Sequence, residues 1–301
     1  MIYGVIDIGS NTIRLSVFKV VGESVNNLFN EKDQASLRSF VEEGKVNEKG
    51  IERLIRVLKK FKSLINNFDD IDQVFPFATA TIRDAANRME ILARVKEEVG
   101  FDIEILSAEE EARLAFVGAS SSTDVSRGVL TDIGGGSSEI VIIDQEKVLK
   151  ATSLKIGSLS AFDDFVDKLF VTKEERKLIE DEVKKQFEKR KMYKEPHDLL
   201  CAVGGSARAS LMLYNEYFNI DTTNTSMEVD KLNQLVKDII NMDERKKLDL
   251  ILAVKADRIH TLIPGMIILV KIAKYFSIGQ INVSQTGVRE GYIYDKILGK
   301  E

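Results

Sequence analysis

The stretch Asp132-Ile133-Gly134-Gly135-Gly136-Ser137-Ser138-Glu139 decides how the chain is read. Three glycines between two apolar runs let backbone N–H groups turn toward a ligand with no Cβ in the way, which makes an anion-binding concavity. The same pattern occurs near the start. At an offset of 125 residues, Val5-Ile6-Asp7-Ile8-Gly9-Ser10 falls on Leu130-Thr131-Asp132-Ile133-Gly134-Gly135, and Arg14-Leu15-Ser16-Val17 falls on Glu139-Ile140-Val141-Ile142. Glycine and aspartate favour hairpins in any protein. Here the apolar flanks match as well, which points to two similar domains, each opening with a β-hairpin. The polar run Ser120-Ser121-Ser122-Thr123 marks the boundary, giving domains over residues 1–120 and 121–301, with the C-terminal helix able to pack back on the first.

Between and after the hairpins, helix and strand alternate, so the fold class is α/β. Ile51, Leu54, Ile55, Leu58, Phe61 and Ile65 form a helical stripe. Strands are expected at Val74–Phe77, Ile103–Leu106, Leu199–Val203 and Ile281–Ser284. Helices are expected at Met89–Val99, from Ser107 onward, and at Ala207–Tyr217, Lys231–Ile240 and Gly265–Phe276. Lys173–Lys194 is charge-dense, with Ile179, Val183 and Phe187 four residues apart. It reads as a solvated helix with one buried stripe, on which Glu180/Lys184 and Asp181/Lys185 can pair.

Composition narrows the function. With 301 residues there is room for about two domains at ~150 residues each, and 44% hydrophobic residues supply a core. A net charge of −5 gives no overall attraction to nucleic acid or to an anionic membrane. One cysteine, Cys201, excludes an internal disulfide and any Cys-rich zinc site. Two histidines, His197 and His260, are too few for a His-Asp metal phosphohydrolase, although Asp198 follows His197. The most apolar run, Leu262–Val270, is broken by Pro264 and Gly265 and falls short of the ~20 residues that span a bilayer. No targeting segment is evident, so a cytoplasmic protein is expected.

The candidate chemistry lies in the glycine turns. Gly134, Gly135, Gly136 and Ser137 form the strongest phosphate cradle. The acids at its ends, Asp132 and Glu139, suit a phosphate that arrives with Mg²⁺, a hard cation taking one or two carboxylates plus phosphate oxygens. Asp7, Gly9, Ser10 and Asn11 offer the same chemistry at the first hairpin, which would face the second across a cleft. Gly204-Gly205-Ser206, followed by Arg208, runs from a strand into a helix, whose N-terminus binds anions; tight strand-to-helix packing explains that turn equally well. Arg83, in Ala78-Thr79-Ala80-Thr81-Ile82-Arg83-Asp84, suits a bidentate phosphate contact. In Ser107-Ala108-Glu109-Glu110-Glu111, Glu110 has the capping-box position. That leaves Glu111 as the better candidate for a base.

Together these segments resemble the exopolyphosphatase / guanosine pentaphosphate phosphatase (Ppx/GppA) family of the actin-like superfamily. The resemblance rests on Ile6-Asp7-Ile8-Gly9-Ser10-Asn11, the Arg83 segment, Glu109-Glu110-Glu111-Ala112-Arg113-Leu114, the triple-glycine turn, Gly204-Gly205-Ser206-Ala207-Arg208 and Val288-Arg289-Glu290-Gly291. It implies two ribonuclease H-like, actin-like domains with the active site in the cleft between them. It also implies Mg²⁺-dependent release of orthophosphate from inorganic polyphosphate or guanosine pentaphosphate. Glu111 matches the family's catalytic base, Arg83 its phosphate-contacting arginine, and Asp132 and Glu139 the acidic ends of its glycine loop; a homodimer is usual there. Longer members carry further C-terminal domains, so this chain looks like a short two-domain form, and its grip on very long polyphosphate is open. Arg14 stands where many members have histidine. A small-molecule kinase or ATPase of the same fold, or a sensor that binds polyphosphate or alarmone without hydrolysis, remain the alternatives.

Overall fold

The computed structural model describes residues 1–68, 70–123, 125–192 and 197–299. Strands β1 (Ile2–Ile8), β2 (Ile13–Val21) and β3 (Ser24–Asp33) form an antiparallel meander. A 3-10 turn at Leu37–Phe40 and a small ribbon, β4 (Val41–Glu42) with β5 (Lys45–Val46), lead into helix α1 (Glu48–Ile65). Strand β6 (Ile71–Ala78) then pairs parallel to β1. Helices α2 (Ala80–Arg83) and α3 (Arg88–Val99) precede β7 (Glu104–Ile105), which pairs parallel to β6. The first sheet thus runs β3-β2-β1-β6-β7.

Helix α4 (Ala108–Ser120) carries the chain to a second meander, β8 (Gly128–Ile133), β9 (Ser138–Asp144) and β10 (Lys147–Leu154). Helices α5 (Ser158–Phe165) and α6 (Lys173–Lys189) lead to β11 (Leu200–Val203), parallel to β8. After α7 (Gly204–Phe218) and β12 (Ser226–Glu228) come α8 (Val229–Asn241), α9 (Glu244–Lys255) and α10 (Leu262–Tyr275). Strand β13 (Gln280–Val283) pairs parallel to β11 and precedes α11 (Val288–Leu298). The second sheet runs β10-β9-β8-β11-β13-β12. Each sheet is an antiparallel trio continued by parallel strands, with β12 added antiparallel to β13 at the edge of the second sheet, the duplicated ribonuclease H-like, actin-like arrangement.

Local sequence explains most of these elements. The stripe on α1 is buried throughout, and Asn47 caps the helix by accepting from the Gly50 N–H at 3.1 Å. Gly100 ends α3 with φ 84°, a left-handed cap. Helix α10 is buried on almost every side, as its run of Met266, Ile267, Ile268 and Leu269 requires. The charged helix keeps Ile179, Val183 and Phe187 inside; of the stretch expected for it, Tyr193 and Lys194 lie outside the described residues. Its ion pairs differ from those expected: Arg176–Glu180 at 2.7 Å, Lys185–Glu182 at 3.4 Å and Lys184–Glu188 at 3.7 Å. Each exposed cation there has several carboxylates within three or four positions, and such pairs differ little in energy.

Two helices join the sheets. Helix α4 lays Ala112, Ala115, Phe116 and Ala119 on Leu130, Val141 and Ile143 of the second sheet. Helix α11 covers the first sheet, with Tyr292 stacked on Phe77 at 5.1 Å. Where α4 and α11 cross, a Cβ on Gly118 would stand 1.9 Å from the Gly287 carbonyl oxygen, and one on Gly291 would stand 1.9 Å from that of Leu114. Only glycine allows this approach.

Candidate functional site

The two hairpin tips meet. A Cβ on Gly136 would lie 2.7 Å from Ser10 Oγ, and one on Gly135 would lie 3.0 Å from the Asn11 backbone nitrogen. Each tip is closed by one hydrogen bond, from the Gly9 N–H to the Thr12 carbonyl at 3.2 Å and from the Gly134 N–H to the Ser137 carbonyl at 2.9 Å. The carbonyls of the triple-glycine turn are engaged from behind by the start of α5: Ser158 N–H donates to Gly134 at 2.8 Å, and Leu159 and Ser160 N–H groups donate to Gly135 at 2.9 and 2.8 Å. At the first tip, Ser36 and Arg38 N–H groups take up the carbonyls of Asn11 and Ser10 at 2.8 and 3.1 Å. Among the described residues, the N–H groups of Ser10, Asn11, Gly135 and Gly136 have no protein acceptor. An oxyanion between the tips would satisfy them. Gly204, Gly205 and Ser206, at the N-terminus of α7, open onto the same cleft, so this turn lines the site as well as packing a strand against a helix.

Charge in the cleft is balanced between four arginines, Arg14, Arg208, Arg258 and Arg289, and four acids, Asp7, Glu111, Asp132 and Glu290. Arg14 lies directly across from Asp7 in the β1–β2 ladder. Arg258 reaches Ser206 Oγ at 3.3 Å, Arg208 donates to the Gln285 carbonyl at 3.1 Å, and Arg289 holds Ser16 Oγ and Asn30. Burial, with neighbouring cations adding to it, pulls Arg208 and Arg258 down to about 10. They remain charged at neutral pH. Sequence reading marked Arg208 as a site residue but missed Arg258 and did not single out Arg289 or Glu290. Arg289 and Glu290 sit in a quoted motif, whereas Arg258 lies in a 3-10 turn over Ala256–Arg258 that no local signal distinguishes.

Glu111 is buried in the cleft wall. The capping box at the start of α4 is present: Ser107 N–H donates to Glu110 Oε2 at 2.8 Å, and the Glu110 N–H donates to Ser107 Oγ at 3.1 Å. Glu110 is thereby engaged and Glu111 faces inward. Arg83 stands beside Glu111. Its guanidinium donates to Glu111 Oε2 at 2.8 Å and to the Leu106 carbonyl at 3.2 Å, and it lines a neighbouring cavity rather than the cleft. Burial, followed by repulsion from Glu139, holds the Glu111 carboxyl well above its usual range despite the arginine.

The acidic ends of the glycine turn face each other across β8 and β9. Burial, the weightiest cause, pushes Asp132 up to about 6, with Arg208 opposing it, and pushes Glu139 up to about 7, with repulsion from Asp132 adding to the shift. Burial likewise raises Asp7, against the pull of Arg289 and Arg14. Asp7 and Asp132 line the cleft, whereas Glu139 sits behind its wall, accepting from Ser153 Oγ at 2.9 Å. Among the described residues no three carboxylates, histidines or cysteines are gathered as a ready cage for a metal. One or two buried carboxylates beside a turn of unpartnered N–H groups fit the donor chemistry of Mg²⁺, which takes one or two carboxylates and keeps waters or phosphate oxygens as its other ligands. Cys201 is buried, with its thiol pushed up to about 12, and is chemically inert. His197 and His260 pack against Phe276 and Phe162, away from the cleft.

A duplicated actin-like fold carrying, among the described residues, a turn of unpartnered N–H groups with buried carboxylates and arginines around it suits the binding of an anion. The chain belongs to the Ppx/GppA phosphatase family, whose model matches residues 16–300. It is 26% identical to a putative exopolyphosphatase of Haemophilus influenzae, over 96% of this chain and 89% of that one. It is 30% identical to a bifunctional 3-dehydroquinate synthase/phosphatase of Fusobacterium nucleatum, over 98% of this chain and 46% of that protein. Among solved structures, an exopolyphosphatase from Cytophaga hutchinsonii superposes with a TM-score of 0.86 at 22% identity, covering 100% of this chain and 99% of that one. The Aquifex aeolicus member of the family superposes with a TM-score of 0.79 at 28% identity, covering 99% and 98%. Among the described residues no helix is long and apolar enough to cross a membrane.

Proposed function

We propose that this protein hydrolyses the terminal phosphoanhydride bond of inorganic polyphosphate or guanosine pentaphosphate, releasing orthophosphate with Mg²⁺ as cofactor. The observation that carries this reading is the buried Glu111 carboxylate in the wall of a cradle of unpartnered N–H groups. The terminal phosphate would lie between Ser10, Asn11, Gly135 and Gly136, whose N–H groups donate to its oxygens. Arg14, Arg208, Arg258 and Arg289 offset the charge of the chain. Glu111 orients a water molecule toward phosphorus and accepts its proton as the new P–O bond forms. The bridging P–O bond breaks, and its electron pair leaves with the shortened chain. Such transfer depends mainly on position and charge stabilisation. When bound, Mg²⁺ would neutralise phosphate charge, with Asp132 and Asp7 its nearest holders and Glu139 a support behind Asp132.

The test is Glu111→Gln, which preserves shape and removes the base. Phosphate release should fall by ~10²- to 10⁴-fold while substrate still binds. Near-normal release by that variant would remove Glu111 from the mechanism.

A further inference from the structure

A second cavity lies on the other side of the triple-glycine tip. Gly136 and Ser137 line both spaces, and Arg83, which lines the second, is bonded to Glu111 in the wall of the first. The tip and this ion pair are therefore the partition between them. In a chain of net charge −5, the second cavity gathers four cations, Arg38, Arg83, Lys155 and Arg190, against two acids, Asp84 and Glu109.

At two of these positions, the Arg190 guanidinium and the Lys155 backbone are anchored without either side chain being neutralised. Gln186 Oε1 accepts from the Lys155 backbone N–H at 3.1 Å and from Arg190 Nη1 at 2.5 Å, so one buried amide fixes both residues at the rim. Neither Lys155 nor Arg190 forms an ion pair among the described residues. Arg38 is only loosely engaged, with Asp164 at 3.4 Å. Among the described residues, neither cavity wall carries an aromatic ring on which a purine could stack. The lining suits a flexible inorganic polyanion better than a nucleotide.

We propose that this second cavity holds further phosphates of the same inorganic polyphosphate chain, gripped by Arg38, Lys155 and Arg190 while the terminal phosphate lies in the glycine cradle. The proposal rests on the hydrolase reading above and names its substrate as a linear polyphosphate long enough to reach past the partition. A chain too short to do so gains nothing from these cations.

The experiment compares orthophosphate release from tripolyphosphate and from long-chain polyphosphate by the wild type and by the double variant Lys155→Ala/Arg190→Ala. Losing two charge-assisted contacts should lower the ratio of kcat/KM for long over short chains by about tenfold. An unchanged ratio, including an equal fall on both substrates, would overturn the assignment. In parallel, the Kd for long-chain polyphosphate is measured in the Glu111→Gln background with and without the double substitution, and should rise by a similar factor. If the wild type releases no phosphate from any substrate, the hydrolase reading fails, while the binding measurement still decides whether the second cavity takes polyphosphate.

Discussion

Arg83 and Glu111 share a hydrogen bond in the cleft wall, and this pairing decides what removing the arginine should do. Burial weighs against the charge on Arg83, but Glu111 outweighs it and holds the guanidinium above its usual range. Reciprocally, Arg83 is the main influence keeping the Glu111 carboxyl from rising further. Arg83→Ala would leave a buried carboxylate unpaired, so Glu111 would take up a proton at higher pH. The expected result is a lower kcat with the acid limb of the pH–rate profile moved upward, and partial recovery in Arg83→Lys. A raised KM with an unmoved limb would instead place Arg83 on the phosphate, as its sequence context suggests. Glu111 was singled out by the family resemblance, with which the capping box agrees because it engages Glu110 and leaves its neighbour free. Arg258 was not, because nothing around Ala256–Arg258 shows that folding will carry it to Ser206.

Among the elements, the two glycine hairpins could be read directly because glycine and aspartate mark a turn wherever they occur. The antiparallel third strands could not. Strand β3 reads Ser-Val-Asn-Asn-Leu-Phe-Asn-Glu-Lys-Asp and β10 begins with Lys147; both are edge strands with no strict apolar alternation, ordered by the neighbour they pair with. Helix α5, eight residues long, was missed although its N-terminus fixes the carbonyls of the triple-glycine turn. The α4–α11 crossing also lies beyond local reading, since a glycine within a helix announces no partner. Its tightness makes a prediction: Gly118→Ala sets a methyl against a backbone carbonyl, and the helices must separate. Destabilisation of about 3 kcal/mol or more is expected, measured as a fall in the urea midpoint; a loss below about 0.5 kcal/mol, the scale of a neutral surface change, would contradict the packing.

At the scale of the whole molecule, the buried carboxylates tie stability to pH. Asp132 moves from 3.8 to about 6 on folding and Glu139 from 4.5 to about 7. Between those limits the folded chain holds protons that the unfolded chain has released, so the unfolded state binds fewer. This contribution to stability is present at low pH and is lost as pH rises from about 4 to about 7. In EDTA, Tm should therefore be higher at pH 5 than at pH 8, and Asp132→Asn should shrink the difference; a Tm that rises across this interval in both proteins would refute it. Ion pairs between the two halves contribute little. Lys32–Asp257 at 2.5 Å and Arg38–Asp164 at 3.4 Å are both partly exposed, and such pairs are worth at most about 1 kcal/mol.

The helix that covers the first sheet, α11, is the last described element of the chain. Tyr3, Phe77 and Leu114 cluster with its Tyr292 and Ile293. While the chain is being synthesised, this face of the first sheet therefore stays partly open until α11, about 170 residues beyond α4, has been made. The half that is made first waits for a helix made much later, and a chaperone or the ribosome surface has that interval in which to act.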